Sequence, residues 1–370
     1  MTGHGNGHGS GHTAVNSPHS GAAIMSNAQR ITIKEIAEQA GVSKQTVSRV
    51  LNDRPDVSPQ TRQRIQAIID HWGYQPSQLA RSLTRGRTST IGVISSGLQY
   101  FGPSQILTGI VEQAHALGYT LSLSLFHESG DLTVTLRDMQ AQQVAGVVWA
   151  AVSKVGDEQR RILEELANSA LATVAAGQPH PGLAVVYADS STGGQLATGH
   201  LIEQGYRTIG LIAGPDGEWS AHQRLLGWQR VLQSSNAPHD ESLIVQGDWT
   251  AASGARGLQK LLQQRPDADA VFASNDQMAL GALSVASNLG RRVPQDLGVV
   301  GLDDIPEANY FTPPLTTVRQ DLRQMGRALV QELDRFIQAQ SLDQVYEPQT
   351  VVIPPQLIVR ASSGVGAPRV

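Results

Sequence analysis

From residue 91 onward, short runs of β-branched and other apolar residues alternate with longer stretches whose apolar positions recur every three or four residues. The short runs predict strands at Ile91–Ile94, Thr120–Phe126, Gly146–Ala150, Ala172–Ala175, Val185–Tyr187, Ile209–Ala213, Ile244–Gly247, Ala270–Ala273 and Gly298–Leu302. The longer stretches predict helices, among them Pro103–Leu117, Gly193–Gln204, Arg224–Ser234 and Gln277–Leu289. Strands that are apolar along their whole length are buried on both faces, so this alternation reads as parallel sheets covered on two sides. There are too many such strands for one mononucleotide-type half. Two doubly wound α/β lobes are expected, with a ligand crevice outside the carboxyl ends of the strands.

Before residue 91 the pattern is different. Thr32 and Glu35 form a Thr-x-x-Glu capping box that opens a helix running through Gln39, and Ala40-Gly41-Val42 turns the chain. Ser43 caps a second helix ending near Leu51, and Ser58-Pro59 opens a third that stops before Gly73. Ala37 is small enough for the first two helices to approach, Gly41 suits a positive φ, and Val42, Val47 and Val50 supply a shared core. That is the packing of a helix-turn-helix. Lys44, Gln45, Ser48 and Arg49 lie on the outer face of the second helix and include donors that read base edges; with Thr32, Thr46 and Asn52 they form the candidate DNA-binding set. A helical hairpin with a solvated polar face is the plain alternative.

Charge favours the DNA reading. Residues 31–90 carry nine Lys and Arg against five Asp and Glu, whereas residues 91–370 carry 18 against 27. One end suits phosphates and the other does not. Hydrophobic residues make up 40% of the chain, but no apolar run approaches the length a bilayer span needs, so no membrane anchor is expected. With no cysteine, disulfides, thiolate chemistry and Cys-based metal sites are excluded, and no cofactor is expected. Residues 1–29 are rich in Gly, His and Ser, lack the apolar residues that offset ordering entropy, and do not form a secretory signal. A disordered tail and a cytoplasmic location are expected. His4, His8, His12 and His19 leave a weak metal-binding reading of that tail.

Polar clusters occur where strands of the body should end. Trp219-Ser220-Ala221-His222-Gln223-Arg224 precedes a helix, Ser274-Asn275-Asp276 follows the Ala270 strand, and Leu302-Asp303-Asp304 follows the Gly298 strand. Sugars need such groups: carboxylate and amide pair with vicinal hydroxyls, guanidinium donates in a fork, and an indole such as Trp249 covers the ring face. Asn275 or Asp303 alone reads better as a helix cap or turn residue. Several such residues in equivalent strand-end positions point to a ligand.

The stretch Thr32-Ile-Lys-Glu-Ile-Ala-Glu-Gln-Ala-Gly-Val-Ser-Lys-Gln-Thr-Val-Ser-Arg-Val-Leu-Asn52, continued by Val57-Ser58 and Gly73-Tyr74-Gln75-Pro76, resembles the N-terminal signature of the lactose/galactose repressor family. The resemblance implies a hinge helix over Ser77–Leu83 that folds on operator binding, with Ala80 at the contact between two hinges and Leu83 as a minor-groove wedge. In the body, Pro103-Ser-Gln-Ile106, Gly227-Trp228, Gly247-Asp-Trp249, Asn275-Asp-Gln-Met-Ala-Leu-Gly-Ala282 and Pro313-Pro-Leu-Thr-Thr-Val-Arg-Gln-Asp321 are similar to the inducer-binding branch of that family. This implies lobes of periplasmic-binding-protein type and a cavity lined by Ser96, Ile106, Ser220, Arg224, Trp249, Asn275, Asp303 and Gln320. Four positions depart from the branch's pattern: Ala176 stands for an aspartate, Leu322 for a phenylalanine, His222 for an arginine and Lys44 for a tyrosine. Sugar and operator therefore both differ from that pattern. Tyr100 and Phe101 either form the opposite wall of the cavity or pack a loop.

The expected organisation is a tail over 1–29, a helix-turn-helix domain over 30–76, hinge and linker over 77–89, a two-lobed body over 90–360 and a flexible tail over 361–370. That last segment lacks leucine heptads, so a homodimer is expected. The function expected is a repressor of a carbohydrate-utilisation operon, bound to a pseudo-palindromic double-stranded operator and released by a small sugar inducer. A corepressor-type regulator taking a purine or phosphorylated metabolite is the rival within the family. A sugar-binding transport receptor would share the body but not the helix-turn-helix. An enzyme using Asp276, Asp303, Asp304 and His222 is disfavoured: the chain has no Gly-x-Ser-x-Gly, no Gly-x-x-x-x-Gly-Lys and no metal-ligand cluster.

Overall fold

The computed structural model of the chain describes residues 31–51, 54–74, 88–126, 132–151 and 156–364. The chain divides into two compact units, Met1–Ala80 and Arg81–Val370.

The first unit contains α1 (Ile33–Ala40), α2 (Lys44–Leu51) and α3 (Pro59–Trp72). The capping box at the start of α1 forms as read: Thr32 N donates to Glu35 Oε2 at 2.6 Å and Glu35 N to Thr32 Oγ1 at 3.4 Å. The bond from Thr32 N, with a second from Thr32 Oγ1 to Glu35 Oε2 at 2.9 Å, holds the Glu35 carboxyl below its ordinary range. Gly41 ends α1 at φ +64°, in the left-handed region that glycine enters without steric cost. Ile36, Ala37, Ala40, Val47, Val50, Ile65 and Ile69 form the shared core. Trp72 Nε1 donates to Gln39 Oε1 at 2.9 Å and ties α3 to α1.

The second unit is built on two six-stranded sheets. The strands are β1 (Thr90–Ser95), β2 (Thr120–Leu125), β3 (Gly146–Ala150), β4 (Ala172–Ala176), β5 (Ala184–Ala188), β6 (Ile209–Ala213), β7 (Ile244–Gln246), β8 (Ala270–Ala273), β9 (Gly298–Asp303), β10 (Thr316–Arg319), β11 (Thr350–Ile353) and β12 (Gln356–Ile358). The helices are α4 (Phe101–Ala116), α5 (Leu132–Ala141), α6 (Asp157–Ala167), α7 (Ser190–Glu203), α8 (Trp219–Ser234), α9 (Ala251–Gln264), α10 (Asp276–Asn288) and α11 (Leu322–Ser341). One sheet runs β11-β5-β4-β3-β1-β2 and is parallel throughout; the other runs β12-β10-β9-β8-β6-β7, with only β12 antiparallel to its neighbour. The chain passes between lobes between β5 and α7, between β10 and α11, and between β11 and β12. Three strand-to-helix or strand-to-strand connections thus form the hinge of the body.

Three pairs of helices meet backbone to backbone through reciprocal glycines. A Cβ on Gly109 of α4 would lie 2.1 Å from Arg323 O, and one on Gly326 of α11 2.1 Å from Ile106 O. Gly194 and Gly227 do the same between α7 and α8, at 2.4 Å from Arg224 O and 2.2 Å from Ser191 O. Gly254 and Gly281 repeat it between α9 and α10, at 2.1 Å from Met278 O and 1.9 Å from Ala251 O.

Every strand expected from the sequence forms to within a residue or two, and three more were missed: β10, β11 and β12. Trp219–Arg224, expected to precede a helix, is instead its first two turns. The tail expected from 361 is anchored at its start: Ser362 and Ser363 are fully buried, Ser362 Oγ donates to Val299 O at 2.6 Å, and Ser363 Oγ lies 2.8 Å from His200 Nε2. No helix among the described residues is long and apolar enough to cross a membrane.

Candidate functional site

The outer face of the first unit presents Thr32, Lys44, Gln45 and Arg49, all exposed, with Thr46 and Ser48 half-buried between them. Lys44 and Gln45 occupy the first turn of α2, the end that enters a major groove in helix-turn-helix proteins. Two residues have a second task. Thr46 closes the N-terminus of α2, its N–H donating to Ser43 Oγ at 3.1 Å. Arg49 sits in the last turn, one turn along the same face from Gln45, and its Nε lies 3.4 Å from Asp56 Oδ2, an exposed ion pair. Asn52, Ser77, Ala80 and Leu83 lie outside the described residues.

In the second unit a cavity of about 160 Å³ opens between the lobes at the carboxyl ends of the strands. Ser96, Ile106, Ser220, Arg224, Trp249, Asn275, Asp303 and Gln320 all line it. His222 does not, and neither Asp276 nor Asp304 is among the lining residues. Arg224 stands at the centre of the polar end. Its Nη1 donates to Ser274 O, its Nη2 donates to Gln320 Oε1 at 3.3 Å and lies 3.9 Å from Asp303 Oδ1, and its guanidinium carbon lies 5.1 Å from the centre of the Trp249 ring. Its Nε is buried without a hydrogen-bond partner among the described residues. The arginine is positioned by the Gly194–Gly227 contact, because it is Arg224's own backbone that meets Gly194.

Gln320 connects this end to the hinge. It lies between β10 and α11, and its Nε2 donates at 3.3 Å to Ser190 Oγ, at the junction of β5 and α7. Two of the three connections between lobes therefore meet at a cavity residue.

Trp249 is fixed from three directions. Its backbone has φ +72°, rare for a bulky residue, its indole lies where a Cβ on residue 214 would stand, and Nε1 donates to Glu218 Oε2 at 3.0 Å. Asp303 and Asp304 also have positive φ, at 123° and 54°. Backbone strain of this kind persists where surrounding contacts over-determine the geometry, and it gathers at binding sites. Asn275 carries more of a structural role than its residue type alone indicates: Oδ1 accepts from Met278 N at 2.8 Å as the cap of α10, and Nδ2 donates to Trp249 O at 3.0 Å. It holds the indole's backbone in place.

The electrostatics follow from burial. Asp303 is pushed up to about 6 by desolvation, against the pull of Arg224. Asp276, behind it, is pushed up to about 7 by desolvation and then by the Asp303 charge, while bonds from Thr317 Oγ1 at 2.5 Å and Ile305 N at 2.8 Å oppose the shift. Burial lowers Arg224, with Asp303 and Glu218 opposing. Asp304 is engaged away from the cavity by Arg319 and Arg360, each at 2.6 Å.

Tyr100 and Phe101, which the sequence left between cavity wall and loop packing, do both: each lines the cavity and packs against the core of the second lobe. Ala176 and Leu322, the departures noted in sequence, also face the cavity. Sequence reasoning missed Gln178, Tyr187, Ser190 and Glu218 as lining residues, and it had Trp219 only as part of the polar cluster ending at Arg224. Tyr187 carried a signal: it is the one aromatic at the end of the apolar run Ala184–Ala188. The others had none beyond their place after a strand.

Comparison with known proteins matches residues 32–77 to the model of bacterial regulatory proteins of the lacI family and residues 198–363 to a periplasmic binding protein-like domain. The HTH-type transcriptional repressor PurR of Photorhabdus laumondii is 35% identical over 335 residues, covering 90% of this chain and 96% of the relative. A solved complex of the transcriptional regulator CelR with cellobiose is 34% identical with a TM-score of 0.66, covering 90% of this chain and all of that one. A lac repressor dimer bound to operator and the anti-inducer ONPF is 30% identical with a TM-score of 0.78, covering 90% and 99%. These relatives are transcriptional repressors and regulators, which sets aside an enzymatic use of Asp276, Asp303 and Asp304. The helix-turn-helix signature, the two-lobed body and the extent of these matches place the chain in the lacI family of bacterial DNA-binding transcriptional regulators.

Proposed function

We propose that this chain is a cytoplasmic repressor that binds a pseudo-palindromic operator as a homodimer and is released by a small sugar held between the lobes of its body. The observation that carries the sugar reading is the polar end of the cavity. An unpartnered Arg224 Nε, the Asp303 carboxylate and Gln320 converge beside the Trp249 face. Vicinal hydroxyls both donate and accept, and they satisfy such a set of donors and acceptors at once. The cellobiose complex of the similar regulator supports the same class of ligand. Because Gln320 ties the cavity to two connections between lobes, a ligand there biases the arrangement of the lobes, and a coupling of about 1 to 3 kcal/mol suffices to change operator occupancy. Leu83 would act as the minor-groove wedge and Ala80 as the hinge contact.

One observation favours a second reading. Tyr100, Phe101, Tyr187, Trp219 and Trp249 all line the cavity, an aromatic content that suits a planar heterocycle, and the relatives named PurR are as similar as any cited above. In that case the ligand would tighten operator binding.

Thermal-shift measurements against mono- and disaccharides and against purine bases, followed by fluorescence anisotropy on operator selected from random DNA, separate the two. A sugar that stabilises the protein and releases DNA is expected. Arg224→Ala should abolish that response and leave operator binding intact; if the variant still releases DNA at the ordinary ligand concentration, the cavity assignment is wrong.

A further inference from the structure

A carboxylate on a surface that meets DNA weakens binding, because phosphates repel it. Asp56 lies exposed in the turn between α2 and α3, beside the end of the helix that carries the base-reading set. Among the described acids of the first unit, Glu35 is engaged in the α1 capping box, Glu38 lies 3.7 Å from Lys34, and Asp70 accepts from Gln66 Nε2 at 2.9 Å. Asp56 alone of these pairs with a residue of the DNA-binding set, its Oδ2 lying 3.4 Å from Arg49 Nε. The turn that carries it is fixed at both ends. Arg54 N donates to Arg49 O at 2.9 Å, Arg62 Nη2 donates to Arg54 O, Val57 packs on the helical core and Ser58 caps α3. Pro55 locks the backbone just before the aspartate. Asp56 therefore moves with the last turn of α2. The atom it engages matters as much as its place: with the carboxylate at Nε, the two Nη groups are left as a fork of parallel donors.

We infer that Asp56 is a positioning residue for base reading: it holds the Arg49 side chain so that its Nη fork meets O6 and N7 of a guanine, and it penalises every other sequence. No other base presents two acceptors side by side in the major groove. An unpaired arginine samples many rotamers and takes any phosphate within reach, whereas one tethered at Nε has lost part of that freedom before DNA arrives. Both side chains are about half exposed, so in water the pair contributes little. Against a base edge, with water displaced, the same carboxylate pulls harder on the guanidinium. Away from guanine the fork finds no matching acceptors, while the phosphates still repel Asp56. A repulsion felt on every sequence and offset on only one is discrimination.

The inference rests on α2 lying in a major groove and on neither reading of the ligand. Fluorescence anisotropy of the full chain at one fixed salt concentration tests it, on operator selected from random DNA, on every single-base substitution of its half-site, and on random duplex. The proteins are wild type, Asp56→Asn, Asp56→Glu, Arg49→Ala and the double variant Arg49→Ala with Asp56→Asn, with melting temperatures confirming that each is folded. Arg49→Ala identifies the guanine, as the position where substitution no longer weakens binding. Asp56→Asn should reduce discrimination at that base pair at least about threefold and leave the other positions within about twofold. It should also tighten binding to random duplex about two- to threefold, since one repelling charge is gone. Asp56→Glu, which keeps the carboxylate, should retain most of the discrimination. In the Arg49→Ala background, Asp56→Asn should leave every base preference as it is. Unchanged discrimination at the guanine overturns the inference, as does an equal loss at all positions or the same loss in the Arg49→Ala background. An Arg49→Ala variant that alters no base preference overturns the base-reading role of Arg49 itself, a result distinct from a silent Asp56.

Discussion

Asp276 should be a carboxylate that the fold tolerates better uncharged. It is fully buried at the first position of α10, accepting from Thr317 Oγ1 and Ile305 N, and its pKa stands near 7. The folded value is raised above the unfolded one. Stability from this group is therefore complete below about pH 4 and is lost as pH rises through about 7. A shift of roughly three pH units at about 1.4 kcal/mol each gives a penalty near 4 kcal/mol in alkaline solution, of which about 1 kcal/mol develops between about pH 6 and about pH 8. Asp303 titrates with it, so the two behave as a pair. Asparagine fits the site: its Oδ1 accepts from Ile305 N while Nδ2 donates to a reoriented Thr317 hydroxyl. Asp276→Asn should then raise the melting temperature at about pH 8 by about 10 °C, taking about 2 to 4 °C per kcal/mol for a body of this size, and flatten its pH dependence. His200 shifts in the opposite direction, its pKa lowered by burial, so its stability term falls as pH drops through its range; present in both proteins, it cancels in the comparison. Melting curves at about pH 6 and about pH 8 for both proteins decide the matter. A variant that melts below wild type at about pH 8, or that keeps the wild-type slope, refutes the reasoning.

The cavity supports other expectations. Gly214→Ala places a Cβ 2.1 Å from Cη2 of Trp249, so it should displace the indole and weaken ligand response at least about tenfold, read as operator release, while operator affinity without ligand stays unchanged. Glu218→Ala frees the Trp249 N–H and should weaken ligand binding several-fold, Glu218→Gln should restore most of it through an amide acceptor, and the loss should vanish in a Trp249→Phe background. Because Asp303 titrates near 6 and accepts more strongly from ligand hydroxyls when ionised, ligand affinity should rise with pH through about 6 and then level off; isothermal titration showing a fall instead would remove Asp303 from the contact. Leu83→Ala should weaken operator binding more than binding to random DNA in a salt titration.

Much of the fold was legible because burial on both faces leaves a plain mark in sequence: Ile209–Ala213 and Ala270–Ala273 are apolar at every position and form strands with those bounds. The strands that were missed lack that mark. β10 is half threonine and sits just past two prolines, and β11 and β12 are short edges exposed on part of their length. The start of α8 was misplaced because Glu218, at its cap, makes no capping bond with its side chain, so no Ser, Thr, Asp or Asn announced the turn. In the cavity, polar residues after apolar strands were visible, but their division of labour was not. Asn275 is spent largely on capping α10 and holding Trp249 O, and only coordinates distinguish that from pointing at a ligand. The burial of Ser362 and Ser363 was equally hidden, since their partners Val299, Thr316 and His200 are distant in sequence.

The reciprocal glycines between α7 and α8 bear on how such a regulator can change its ligand. With carbonyl oxygens filling the space where side chains would begin, neither helix can slide or roll against the other without breaking contact along the crossing. The backbone of Arg224 is thus held by main chain, while its guanidinium is held by Ser274 O, Gln320, Asp303 and Trp249 and not by Ala176, Gln178 or Leu322. Scaffold and lining are in this sense separate inheritances. A lineage can exchange Ala176, Gln178, Glu218, Trp219 or Leu322 for residues suited to another effector while the arginine, and its route through Gln320 to the crossovers, stays where it was. New specificity then arrives already wired to the old switch.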